Sequence, residues 1–169
     1  MRWPRVDSDI APILCAVIGA VATRLYMSER LTGDIDVAVR KTDLVAAGER
    51  LEATGYEYVG ELAIGGSTWR SSGGQEVDLV AGEEDWWADA IEQAQRNRDA
   101  EGLPCVPLPY LVLMKLRSSR AQDLADVSRM MGQADSAPIE ETLALVGRHA
   151  PKDVPDLRSL IDLGRLELS

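Results

Sequence analysis

Histidine is nearly missing from this chain of 169 residues: there is one, His149, and the two cysteines, Cys15 and Cys105, form no Cys-x-x-Cys pair. That scarcity argues against a zinc centre, which needs three or four His, Cys or carboxylate ligands at short characteristic spacings. Both cysteines sit in apolar surroundings and read as small buried thiols rather than as disulfide or metal partners. Long hydrophobic runs are missing too: none approaches the ~20 residues needed to span a bilayer. The opening "MRWPRVDSDIAPILCAVIGA" has an apolar stretch, but acids and Pro12 interrupt its approach. It reads as a first strand rather than a secretory signal, and a cytoplasmic protein is expected. Basic residues are in deficit, 18 Lys and Arg against 28 Asp and Glu, for a net charge of -10. Such a surface repels nucleic acid at long range and argues against non-specific DNA or RNA binding, although one local basic patch can still admit a nucleic-acid substrate.

What is present fits one domain with a real core and a small helical appendage. Repeats and low-complexity tracts are absent. "ILCAVIGA", from Ile13 to Ala20, is a continuous apolar run ending at Gly, as in a buried strand entering a turn. "VATRLYMSE", from Val21 to Glu29, has the spacing of a short helix. "DIDVAV" is a second strand, after which Thr42 or Asp43 caps a helix that stops at Gly55. "YEYVGELAIGGSTWRS" and "GGQEVDLVAG" predict paired strands, with turns at Gly65-Gly66 and near Gly73-Gly74. "EEDWWADAIEQAQRN" is helical with acids at its start, complementing the helix dipole, and Trp86-Trp87 read as core anchors. From Pro109 onward the pattern is helical. Strands early and helices late predict an α+β domain with a helical C-terminal part.

The chemistry is concentrated in three places. In "RLTGDIDVAV" successive strand residues point to opposite faces, so Ile35, Val37 and Val39 share one face while Asp34, Asp36 and Ala38 share the other. Burying either acid without a partner costs several kcal/mol, so the face is open to water or something positive compensates. A charged strand edge that discourages aggregation would satisfy the first condition. A hard divalent cation would satisfy the second, since Mg²⁺ is usually held by one or two carboxylates plus substrate phosphates. In "QEVDLV", Val77 and Leu79 face one way and Glu76, Asp78 and Val80 the other, so Asp78 can bring a third carboxylate to the same sheet. Three acids holding metal suit in-line phosphoryl transfer. The strand-to-helix turn at Gly19-Ala20 exposes backbone N–H groups, a ready site for phosphate, though one Gly also suits an ordinary turn.

Together these residues resemble the nucleotidyltransferases of the polymerase-β superfold, and most of all the AbiEii-like branch. Members read hydrophobic-Gly-Gly, thirteen residues, then Asp-x-Asp preceded by Arg-x-Thr. Here Val21 to Gly33 separate Gly19-Ala20 from Asp34-Ile35-Asp36, with Arg30 and Thr32 in the Arg-x-Thr positions. Ala20 stands where the family has its second Gly, and Met27 where a Gly is common. Asp78 matches the third acid in its Val-Asp-Leu context. Downstream, "LMKLRSSRAQDLADV" is similar to the family's Lys-Leu-x-x-x-Arg-x-x-Asp-hydrophobic-x-Asp signature and puts Lys115, Arg120, Asp123 and Asp126 on it. The resemblance runs from about Ile13 to Met131.

The resemblance implies a mixed β-sheet backed by helices, with a nucleotidyltransferase core over residues 1–108 and a helical part over 109–169. It implies Mg²⁺ or Mn²⁺ on Asp34, Asp36 and Asp78, which are also the catalytic acids. It implies a nucleoside triphosphate held by Gly19, Ala20, Arg30, Thr32, Lys115 and Arg120. The acceptor is a protein side chain, an RNA end or a small molecule, and a cognate toxin or antitoxin protein is an expected partner. The competing expectation is a catalytically degenerate member that binds a partner protein without turnover. Read without the family, Lys115 is a lysine snorkelling from an apolar helix, and Arg120 with Asp123 an ordinary i, i+3 ion pair.

Overall fold

The alternation in "DIDVAVR" is realised in a strand, β2 (Asp34–Arg40), whose Ile35, Val37 and Val39 are fully buried. The computed structural model describes residues 3–28, 31–63 and 65–167. Among them, β2 pairs with four further strands: β1 (Cys15–Val17), β3 (Glu57–Glu61), β4 (Gly66–Arg70) and β5 (Glu76–Gly82). The sheet order is β1-β2-β5-β4-β3; β2 and β5 run parallel and every other neighbouring pair is antiparallel. This is the mixed α+β architecture expected from the sequence.

The first strand is shorter than its apolar run. Pro12 carries no N–H for a ladder, and Gly19 ends the run by turning to φ +62°. A short helix not anticipated from the sequence, α1 (Val6–Asp9), precedes it. The helix expected over 21–29 also shrinks. Among its described residues only those in α2 (Gly19–Ala22) are α-helical, and the chain then tightens into a 3₁₀ turn over Thr23–Leu25; the expected end at Glu29 lies outside the described residues. Likewise α3 (Leu44–Ala53) begins one residue after Asp43, with a 3₁₀ turn over Lys41–Asp43 before it and no side-chain cap.

The apolar face of the sheet is covered by α3. Its Gly48 lies so close to the Trp69 ring that a Cβ there would sit 3.1 Å from it, and Ala47 and Leu51 are fully buried beside it. The helix α4 (Trp87–Ala94) is tied to β2 where Trp87 Nε1 donates to the Val39 carbonyl at 2.8 Å. Both tryptophans of the pair are buried. Cys15 and Cys105 are free thiols in the interior, and burial pushes the Cys15 thiol up to about 12.

The remaining helices are α5 (Leu108–Ser118), α6 (Ala121–Gly132), α7 (Ser136–His149) and α8 (Val154–Glu167). The chain divides into two compact units: residues up to 22 with those from 31 to 106, and residues 23–28 with those from 107 onward. The first contains the sheet, the second the C-terminal helices and the 3₁₀ turn at Thr23–Leu25. In the helical unit α6 and α8 cross at glycine. A Cβ on Gly164 would run into the Ser128 carbonyl, and one on Gly132 into the Gly164 backbone. Ser128 Oγ donates to the Leu160 carbonyl at 3.0 Å at the same crossing. Among the described residues no helix is long and apolar enough to cross a membrane.

Candidate active site

Strand register, which the sequence does not display, decides which acids meet. In the parallel β2–β5 pair, Asp36 lies directly beside Asp78 and Asp34 beside Glu76. Adjacent strands are about 4.8 Å apart, so the side chains of such pairs stand shoulder to shoulder on one face. On the other side of β5, Thr68 of β4 pairs with Asp78 and Arg70 with Glu76. Two polar rows therefore cross the sheet, Asp36–Asp78–Thr68 and Asp34–Glu76–Arg70. The next row, Ala38–Val80–Gly66, is small and apolar.

Like charges packed this way repel, and each acid has a local answer. Thr32 Oγ1 donates to Asp34 Oδ1 at 2.6 Å. Thr68 Oγ1 donates to Asp78 Oδ1, also at 2.6 Å. Arg70 Nη2 pairs with Glu76 Oε1 at 3.1 Å. Asp36 lies against the turn after β1. Its Oδ2 occupies the space a Cβ on residue 19 would need, so only glycine fits there, and the φ of +62° makes the same demand. That turn is fixed to β2 by the Ile18 N–H donating to the Asp36 carbonyl at 2.9 Å. Asp34, Asp36, Asp78, Thr68 and Glu76 are all half-buried, accessible to a ligand but with part of their solvation removed.

Sequence reasoning placed Glu76 on the face of Asp78 without giving it a part, and missed Thr68 as a member of this face. The alternation in "GSTWR" puts Thr68 opposite Trp69, but nothing local says which face holds the acids. Arg30, expected to touch phosphate, lies outside the described residues. Ala20, in the second position of the turn, is buried in α2.

Lys115 and Arg120 belong to the helical unit and meet Asp123 and Asp126 there. Lys115 is 3% exposed, and its Nζ donates to Asp123 Oδ1 and Asp126 Oδ2 at 2.8 Å each. Arg120 Nε donates to Asp123 Oδ2 at 2.6 Å, joined by Ser118 Oγ. Gln122 Nε2 donates to Asp126 Oδ1 at 3.0 Å. Burial by itself pushes Asp123 upward; the hydrogen bonds from Lys115, Ser118 and Arg120 outweigh it and hold the carboxyl at about 2.

Among the described residues no three carboxylate, imidazole or thiol groups are gathered closely enough to enclose a metal ion. The donors that line the face are hard carboxylate oxygens on adjoining strands. Such a set suits Mg²⁺, which takes one or two carboxylates and completes its shell with water and substrate phosphates rather than with an all-protein cage. The neighbouring pair Asp36 and Asp78, with Asp34 farther along the same face, could supply those carboxylates.

No protein-family description matches this chain, and no curated protein does. Solved structures do. The solution structure of the antibiotic-resistance factor ANT(2'')-Ia aligns over 95% of this chain and 88% of its own, at 17% identity and a TM-score of 0.52. A crystal structure of ANT(2'')-Ia in complex with adenylyl-2''-tobramycin aligns over 96% and 92%, at 17% identity and a TM-score of 0.49. At such identity the likeness to ANT(2'')-Ia is one of fold alone.

Proposed function

We propose that this chain is a metal-dependent nucleotidyltransferase, which moves a nucleoside monophosphate from a nucleoside triphosphate to an acceptor hydroxyl. The observation that carries the reading is the row Asp36–Asp78, with Asp34 on the same face and the Gly19 turn against Asp36. Asp34 and Asp36 hold the divalent ion and Asp78 completes the site. The ion, when bound, lowers the charge on the triphosphate and favours departure of pyrophosphate. Asp78 takes the proton of the acceptor hydroxyl as its oxygen bonds to the α-phosphorus and the bond to pyrophosphate breaks. On the family resemblance, the turn at Gly19-Ala20, with Thr32 and Arg30, would bind the phosphates. We read Lys115 and Arg120 chiefly as members of the ion network with Asp123 and Asp126.

The motif spacing supports an AbiEii-like branch within this fold and hence a toxin–antitoxin setting with a cognate partner protein. The net charge of -10 favours a protein side chain or a small molecule over an RNA end as acceptor. The fold neighbour, an antibiotic-resistance factor, makes small molecules the first panel to screen.

The test is incubation with α-labelled nucleoside triphosphates and Mg²⁺ or Mn²⁺, followed by transfer to panels of proteins, RNA and small molecules. Asp36→Asn keeps the shape and removes the charge, and should lower transfer at least about a hundredfold, the kinetic equivalent of ~3 kcal/mol. Undiminished transfer by that variant would sink the mechanism. A wild-type chain that neither transfers label nor binds nucleotide in calorimetry would instead be the partner-binding form of the fold.

A further inference from the structure

We infer that Thr68 is a positioning residue of this site, acting through Asp78. The inference rests on the nucleotidyl-transfer reading and goes beyond it, because β4 belongs to none of the motif segments. Asp78 stands between two neighbours in one row: Asp36 on β2, a like charge, and Thr68 on β4, a hydroxyl donor. The 2.6 Å bond from Thr68 Oγ1 ends on Oδ1. It fixes the rotation of the carboxylate about its Cβ–Cγ bond. One oxygen is thus assigned to the hydroxyl, which leaves Oδ2 for an ion or an acceptor proton.

Thr32 does the same for Asp34 from the chain segment just before it. That bond is local and spans two residues. The Thr68 bond is brought about by sheet pairing, so the edge hairpin of β3 and β4 contributes a side chain to the chemistry as well as covering β5. Outer partners of this kind cost about 10–100-fold in metal affinity when removed.

The experiment is a Mn²⁺ titration read by electron paramagnetic resonance, with a non-hydrolysable nucleoside triphosphate analogue present. It compares the wild-type chain with Thr68→Val, Thr68→Ser and Asp36→Asn, with thermal melts of each in the absence of ion. Thr68→Val keeps the shape and strand preference and loses the hydroxyl; it should weaken Mn²⁺ binding about tenfold at an unchanged melting temperature. Thr68→Ser should restore wild-type affinity. Equal affinity in the wild type and Thr68→Val overturns the positioning role, and so does a Thr68→Ser variant as weak as Thr68→Val, since packing alone would then account for the loss. Failure of the underlying reading looks different: the wild type itself would bind no better than Asp36→Asn.

Discussion

At the scale of single residues, the site and the ion network solve the same problem in opposite ways. The acids on the sheet are kept half-exposed and are each given a hydroxyl, a guanidinium or a glycine contact. Those of the helical unit are buried outright and share the ammonium of Lys115, with Arg120 also on Asp123. The second solution has a pH signature. Asp123 is held at about 2, below its ordinary 3.8. Its depressed value means that its contribution to stability is fully present above pH ~4 and drains away as the pH falls toward 2. Urea unfolding midpoints measured from pH 5 to pH 2 should therefore drop for the wild type and drop less for Asp123→Asn. Lys115→Met should cost about 3–5 kcal/mol at neutral pH, because two buried carboxylates lose the ammonium they share. Loss of stability with no acid dependence would contradict this account of the network.

Secondary-structure elements were largely legible, and the reasons for the exceptions are physical. β2 and β5 follow from strict alternation, and the hairpin turns from paired glycines. The face carrying Asp34 and Asp36 was readable for the same reason. What periodicity cannot supply is register, which is a property of two strands; hence Asp36 on one side of Asp78, and Thr68 on the other, emerge only on folding. Helix crossings are equally silent in a single stretch of sequence. Nothing in "SRMMG" or "IDLGRL" announces that Gly132 and Gly164 meet, yet there is no room for a Cβ on either. Gly164→Val should force α6 and α8 apart and cost about 1–3 kcal/mol, the usual penalty for overpacking. A melting temperature equal to that of the wild type would show that the crossing tolerates separation.

The molecule as a whole is not divided where its composition changes. Strands give way to helices late in the sequence, but the compact units exchange a piece of chain, and residues 23–28 belong with the C-terminal helices. A chain cut after residue 106 should therefore be less stable than the loss of a separate appendage would make it. Thr23 and Met27, both buried in the intact protein, would lose partners supplied by the helical unit. The check is the melting temperature and solubility of that fragment against the full chain; a fragment that melts no earlier would show that the sheet unit is self-sufficient.

The same exchange bears on how such a protein can be re-engineered. Residues 23–28 lead, after only a few positions, into Thr32 and the paired aspartates of β2. Swapping tails between relatives at one junction would graft foreign helices onto a native insert and leave that mismatch upstream of the paired aspartates. A workable chimera needs two crossover points, carrying the early insert together with the tail it evolved beside.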